Sequence, residues 1–277
     1  MEPRSLTVPV HVGTLDVLDW SPDAAPRATV LALHGFPETP WEWGPVAERL
    51  VPRGVRVVAP AQRGYSPGAR PAGVDAYALD HLGADALAVL DHLGLDGAHV
   101  AGHDWGASVA WWLAAHHPGR VEALTAVSVP HLTAFADAIL ADPVQQEKSA
   151  YFGLFRQEGR AEDVLLEDGA HRMRALFGAD VPAELVDAHL AVLGDRDALT
   201  AALNWYRAMR RTDLPDVTVP TTYVWGEEDM AIGRTAAEGC AARVTGDYRF
   251  VALSGVGHWV PEQAADAVAE EILARIG

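Results

Sequence analysis

The segment His99-Val100-Ala101-Gly102-His103-Asp104-Trp105-Gly106-Ala107 constrains the fold more than any other part of the chain. The apolar run His99 to Ala101 reads as a strand, and Ala107-Ser108-Val109-Ala110-Trp111-Trp112-Leu113 reads as a helix packed against it. A tight turn joins them, with Gly102 and Gly106 two residues to either side of Asp104. This is the spacing of the G-x-S-x-G turn, which lifts a nucleophile into a strained, exposed position at a strand end. Small flanking residues permit so sharp a reversal. Here the occupant is Asp, a carboxylate that is ionised at neutral pH and attacks without a base to deprotonate it. It can open a strained or activated carbon electrophile and leave an alkyl ester on the protein. An ordinary polar turn between strand and helix has the same pattern, so the rest of the chain must decide.

Around that segment, strand and helix alternate. Residues 5 to 20 alternate apolar and polar around Gly13-Thr14, as in a hairpin at a sheet edge. Thr29-Val30-Leu31-Ala32-Leu33 is an unbroken apolar run ending at His34-Gly35-Phe36-Pro37, as expected of a strand covered on both faces. A helix over roughly Trp41 to Pro52, a strand at Arg56-Val57-Val58-Ala59, a helix from Asp75 to Leu93 and a strand from Val121 to Val129 continue the series. After Pro130 only helical spacing is found, up to about Leu214. More than eighty residues without a strand cannot be one ordinary connection, so 131–214 is read as an all-helical cap inserted into a core domain made of 1–130 and 215–277. The alternation resumes with a strand at Thr221–Trp225, a helix from Thr235 to Arg243, a strand from Tyr248 to Leu253 and a helix from Pro261 to Ile276. The fold class is α/β: a doubly wound, mostly parallel sheet of about eight strands, with ligands expected at the carboxyl ends of the strands beneath the cap.

Composition narrows the partners. At 277 residues, 49% of them hydrophobic, the chain has enough apolar side chains for one large core. Its formal net charge of −17 disfavours nucleic acid and anionic membrane surfaces. A single cysteine, Cys240, excludes an internal disulfide, and no apolar run approaches the ~20 residues of a membrane span. The expectation is a cytoplasmic protein, monomer or homodimer, that takes a small, uncharged or weakly polar ligand. The twelve histidines show no metal-ligand spacing and no glycine-rich phosphate loop is present, so neither a metal nor a cofactor is expected.

Two further polar residues fall just beyond strand ends. Asp229 follows Val224-Trp225-Gly226-Glu227-Glu228, and His258 sits in Ser254-Gly255-Val256-Gly257-His258-Trp259. Individually they read equally well as a helix N-cap and a turn histidine. With Asp104 they give the chain order nucleophile, acid, histidine of α/β-hydrolases. The backbone amides of Phe36 and Trp105 are candidate oxyanion donors. His34, Pro37, Trp105 and Trp205 are candidates for the substrate pocket, while Trp111 and Trp112 are read as core.

In combination, His34-Gly35-Phe36-Pro37-Glu38, Gly102-His103-Asp104-Trp105-Gly106-Ala107, Val129-Pro130-His131, Asn204-Trp205-Tyr206-Arg207 and Gly257-His258-Trp259 resemble the α/β-hydrolase-fold epoxide hydrolases, from about residue 29 to the C-terminus. The resemblance implies conversion of a small apolar epoxide to a vicinal diol through an ester on Asp104, hydrolysed by water that His258 and Asp229 activate. It also implies that two cap tyrosines hold and protonate the epoxide oxygen, at the matching positions Tyr206 and Tyr151. Without it, both read as amphipathic packing. Two alternatives stay open. A haloalkane-type dehalogenase uses the same carboxylate attack, and Trp105 does not separate the two. A non-catalytic ligand-binding protein can keep the same fold.

Overall fold

The computed structural model describes residues 1–179 and 181–277. Its centre is an eight-stranded sheet built from β1 (Arg4–Val10), β2 (Gly13–Trp20), β3 (Ala28–Leu33), β4 (Val55–Pro60), β5 (Ala98–His103), β6 (Val121–Val127), β7 (Thr221–Gly226) and β8 (Tyr248–Leu253), in the order β1-β2-β4-β3-β5-β6-β7-β8. The hairpin β1–β2 is antiparallel and pairs antiparallel with β4, whereas β4 through β8 run parallel. This is the α/β sheet expected from the sequence, with the hairpin at one edge.

The continuous apolar runs follow from burial on both faces. Along β3, Val30 and Ala32 join the core on one side, while Leu31 and Leu33 join the core on the other. The first side is covered by α1 (Gly44–Leu50), the 3-10 turn before it and α12 (Ala265–Ile276), through Trp43, Val46, Leu50, Val268 and Ile272. The second is covered by α2 (Leu79–His92) and α3 (Trp105–His116), through Leu82, Val89, Val109 and Leu113. Each such fully buried aliphatic side chain contributes about 1.5–3 kcal/mol relative to exposure.

Between β6 and β7 the described residues form six helices, α4 (Leu132–Ala141), α5 (Pro143–Lys148), α6 (Phe152–Phe155), α7 (Arg160–Leu176, kinked at Glu167–Ala170), α8 (Ala183–Leu193) and α9 (Arg196–Ala208), and a single parallel β-bridge of Val217 to Val244. After β7 come α10 (Arg234–Gly239) and α11 (Val260–Gln263). Helix α9 is buried along Leu199, Ala202, Leu203, Trp205 and Tyr206.

Some expected boundaries shift. The helix read over Asp75–Leu93 breaks at Ala78, which is extended at φ −63°, ψ 147°, and a 3-10 turn at Val74–Tyr77 precedes α2. The Tyr77 hydroxyl donates to the carbonyl of Pro71 at 3.0 Å, which ties that turn to the preceding loop. The last helix likewise breaks at Ala264 (φ −138°) between α11 and α12. Helical structure ends at Ala208, not near Leu214, because Met209 turns extended at ψ 125°. The helix read over Thr235–Arg243 tightens to a 3-10 turn after Gly239.

Candidate active site

Asp104 lies between β5 and α3 with φ 49° and ψ −116°, a conformation that L-residues rarely adopt. Close packing enforces it. A Cβ on Gly106 would stand 1.9 Å from the Leu33 carbonyl oxygen, and one on Gly102 would stand 2.3 Å from that of Gly106. A Cβ on Gly35 would meet the Asp104 Cβ at 2.5 Å. The strand–turn–helix unit is therefore locked against β3, and strain of about 1–3 kcal/mol is held at the residue that presents the carboxylate.

Both oxygens of Asp104 have partners. The Phe36 amide donates to Oδ1 at 2.9 Å. Nε2 of His258 stands 3.5 Å from Oδ2. On its other side, Nδ1 of His258 is 2.9 Å and 3.0 Å from the two oxygens of Asp229. Asp229 is itself fixed by the amides of Ala231 and Ile232, which donate to Oδ1 at 2.7 and 2.9 Å. It follows β7 and caps no helix, since α10 begins at Arg234. Burial would lower the His258 pKa, but the Asp229 charge and the hydrogen bonds to Asp104 and Asp229 outweigh it and raise it to about 9. For Asp229, burial is outweighed by the His258 charge and by the hydrogen bonds it accepts, which hold it below the usual carboxylate range.

A cavity of about 470 Å³ opens on Asp104. Its walls include Asp104, Trp105 and Val129 from the sheet side, Leu132, Phe135 and Ile139 from α4, and Tyr151, Trp205 and Tyr206 from the helical segment. The rings of Tyr151 and Tyr206 are 6.1 Å apart, and that of Tyr206 lies edge-on to Trp105 at 5.1 Å and to Phe36 at 5.5 Å. Burial first, and then the charge of Asp104, push both phenols well above their ordinary pKa.

Sequence-expected pocket residues divide. Trp105 and Trp205 line the cavity, whereas His34 and Pro37 are not among its walls. His34 is buried and spent on the backbone: Nδ1 donates to the Gly35 carbonyl at 3.0 Å, and Nε2 accepts from the Gln62 amide at 3.1 Å. Burial lowers its pKa to about 4, matching a neutral ring with one donor and one acceptor nitrogen. Pro37 is buried, bonded through a cis peptide to Phe36. Trp111 is core as expected, but Trp112 borders the cavity.

Behind His258 is a group to which the sequence reading gave no role. His103 Nε2 and the Ser128 hydroxyl both donate to the His258 carbonyl, at 2.9 and 2.7 Å. His103 Nδ1 lies 2.9 Å from Glu38 Oε2 and 3.3 Å from Glu42 Oε2. The carboxyl of Glu262, also fully buried, lies 3.8 Å from His189. Glu38 with Glu42 and His103, and Glu38 with His189 and Glu262, bring their ligand atoms within 4.8 Å of one another, close enough to hold a cation. Protons balance the charge without one. Burial would raise Glu38, but the His103 charge and hydrogen bonds from His103, Glu42 and Glu262 lower it well below the ordinary range. Burial, then the Glu38 charge, push Glu42 and Glu262 well above it, which favours their neutral forms. Burial opposes the charge on His103, yet Glu38 and Glu42 raise its pKa well above the ordinary value. The signals available were Glu38 and His103 inside the sequence motifs, whereas nothing marked Ser128, whose φ of 63° only the fold reveals.

The chain matches the family model described as the alpha/beta hydrolase fold over residues 28–265. It is 33% identical to the AB hydrolase superfamily protein YfhM of Bacillus subtilis, covering 88% of each chain. It is 30% identical to Epoxide hydrolase A of Mycobacterium tuberculosis, covering 90% of each. Among solved structures, one described as novel epoxide hydrolases of the alpha/beta hydrolases superfamily in metagenomes from hot environments superposes with a TM-score of 0.87 at 29% identity, over 100% of this chain and 99% of that one. The chain thus belongs to the α/β-hydrolase fold family and, within it, to the epoxide hydrolases.

Proposed function

We propose that the chain adds water to an oxirane to give a vicinal diol, with Asp104 as nucleophile and residues 131–214 acting as the cap that closes over it. The observation that carries this reading is the Asp104 carboxylate itself: Oδ1 is held by the Phe36 amide, Oδ2 faces His258, and two phenols, buried Tyr206 and half-buried Tyr151, share its cavity. Oδ2 attacks an epoxide carbon as the ring C–O bond breaks. The alkoxide takes a proton from Tyr151 or Tyr206, both protonated across the physiological range. Asp104 is now an ester and no longer an anion.

That change prepares the second half. The hydrogen bond to ionised Asp104 is one of the contributions that raise the His258 pKa to about 9. Once the ester forms this contribution is lost, the pKa falls, and His258 gives its proton to the tyrosinate. Neutral His258, oriented by Asp229, then takes a proton from water as the hydroxide adds to the ester carbon. Oδ1 becomes the oxyanion and is received by the Phe36 amide and by the Trp105 amide at the start of α3. Collapse breaks the ester C–O bond. The departing alkoxide takes the carboxyl proton, which releases the diol and restores ionised Asp104 beside protonated His258.

The two cavity phenols favour an epoxide over a haloalkane, because they supply the proton that a departing alkoxide needs and a departing halide does not. The test is diol formation from a panel of aryl and alkyl epoxides, styrene oxide included, with Asp104→Asn as control. Diol from the wild type alone supports the proposal. Halide release from haloalkanes without diol from any epoxide overturns it in favour of a dehalogenase, and saturable binding with no turnover overturns it in favour of a binding protein.

A further inference from the structure

The outer wall of the Asp104 cavity carries three guanidinium groups, those of Arg156, Arg210 and Arg211. In a chain with 21 Lys and Arg against 38 Asp and Glu, three cations on one cavity run against the overall balance. Arg211 is neutralised by Asp137 at 3.3 Å and Asp213 at 3.5 Å. The other two are not: among the described residues no carboxylate comes within ion-pair distance of Arg156 or Arg210.

Both are nevertheless positioned. Arg156 Nε donates to the Tyr206 carbonyl at 3.2 Å, and its guanidinium lies 5.7 Å from the centre of the Phe152 ring. Arg210 Nη1 donates to the carbonyls of Arg207 and Met209 at 2.9 and 3.2 Å. The two side chains thus gather at the C-terminal end of α9, whose carbonyls favour positive charge, and each guanidinium keeps further N–H donors uncommitted. Asp80 also borders the cavity, but it sits in the first turn of α2, where the helix dipole favours a carboxylate, and it pairs with neither arginine. Arg156 and Arg210 are exposed while Asp104 is buried, and the wall they share with it includes the apolar side chains of Ile139, Phe135 and Leu132.

Building on the epoxide reading above, we infer that the preferred substrate is an amphipathic epoxide: an oxirane, an apolar body, and a carboxylate at the end remote from the oxirane. Arg156 and Arg210 receive that carboxylate. The planar guanidinium fork matches carboxylate geometry, and the apolar stretch of wall accommodates the body. Because Arg156 is also bonded to the Tyr206 carbonyl, the anchor for the tail and a phenol facing the oxirane belong to one connected unit.

The experiment compares kcat/KM for a terminal alkyl epoxide ending in a carboxylate with that for its methyl ester, in the wild type and in the double variant Arg156→Gln, Arg210→Gln. The wild type is expected to favour the acid by about five- to ten-fold, the range of a partly exposed charge-assisted contact, and less so at high salt. The double variant brings the ratio close to one, and Arg156→Lys with Arg210→Lys recovers part of the preference. The ratio is internal to each protein, so a general loss of folded enzyme does not mimic the effect. Diol from the ester with no preference for the acid, or a preference that survives the double variant, overturns this inference alone. No diol from either compound overturns it together with the epoxide reading.

Discussion

Nε2 of His258 stands 3.5 Å from Oδ2 of Asp104, close enough to sense its charge while leaving room for the chemistry that removes it. The first half of the proposed reaction needs only Asp104 and the phenols, and the second needs neutral His258. Replacing His258 by Gln should therefore stop the cycle at the ester. One equivalent of epoxide is consumed, the peptide containing Asp104 gains the substrate's mass, and steady-state turnover falls by about 10²–10⁴-fold. Rapid epoxide loss with full diol release from that variant would exclude the scheme.

Tyr151→Phe and Tyr206→Phe should fail in the opposite half. Each removes a proton donor to the alkoxide, so single-turnover alkylation slows, by about 10²-fold for either, and no ester accumulates. Losing both phenols should abolish alkylation, while hydrolysis of any ester that does form proceeds at the wild-type rate. Rapid-quench mass spectrometry separates the two steps, and an ester build-up in the tyrosine variants would contradict these roles.

Much of this arrangement was legible in the residues. Gly102 and Gly106 around Asp104, and Asp229 and His258 after apolar runs, mark strand ends because a buried parallel strand writes itself as consecutive apolar side chains. Tyr151 and Tyr206 were found only through resemblance, since a cavity-facing phenol and a packed one share the same helical spacing. What was lost depends on contacts between distant segments. His34 looked like a pocket residue because it follows β3, but its direction is set by the Gln62 amide, 28 residues on. The breaks at Ala78 and Ala264 are set by backbone torsion at residues that favour helix. The cluster of Glu38, Glu42, Glu262, His103 and His189 comes from four separate stretches, so no local pattern announces it.

The His258 pKa provides a pH test with a defined sign. It is raised from 6.5 to about 9 in the folded protein, so its ion-pair contribution to stability is fully present below pH 6.5 and is lost as pH rises through about 9. The Tm difference between wild type and His258→Gln should therefore shrink across that window. Imidazole titration followed by NMR should also show the pKa falling in Asp104→Asn, because one raising contribution is removed. A pKa unmoved by Asp104→Asn would refute the proposed switching of the base.

The turn itself should tolerate no side chain at Gly106. Its Cβ would sit 1.9 Å from the Leu33 carbonyl oxygen, a backbone atom that cannot swing away. Gly106→Ala must separate α3 from β3, at a cost of about 1–3 kcal/mol of stability, and it displaces Asp104 from the Phe36 amide. Gly119→Ala, where no atom lies within 4 Å of the added Cβ, is the matched control and should be close to neutral. Chemical denaturation of the two variants decides the matter, and equal stabilities would count against the locked turn.

The buried acids make the sharpest contrast between two substitutions of the same kind. Burial and the Glu38 charge push Glu42 toward its neutral form, so Glu42→Gln replaces a neutral side chain by one of nearly the same shape. Glu38 is the ionised member, 2.9 Å from protonated His103, so Glu38→Gln leaves a buried cation without its counter-charge. Breaking a buried pair from one side costs about 3–5 kcal/mol, whereas Glu42→Gln should stay within about 0.5 kcal/mol of wild type near neutral pH. The pH dependences also have opposite signs. Glu38, held below the ordinary carboxylate value of 4.5, stabilises the fold above that pH, and its contribution fades as acid protonates it. Glu42, held above 4.5, contributes fully below that pH and progressively less as pH rises from 4.5 through its raised value, so wild type should lose stability over that rise and Glu42→Gln should lose less. Equilibrium unfolding of the two variants at neutral and alkaline pH tests the assignment, and equal losses for both substitutions would mean that the charge sits elsewhere in the cluster.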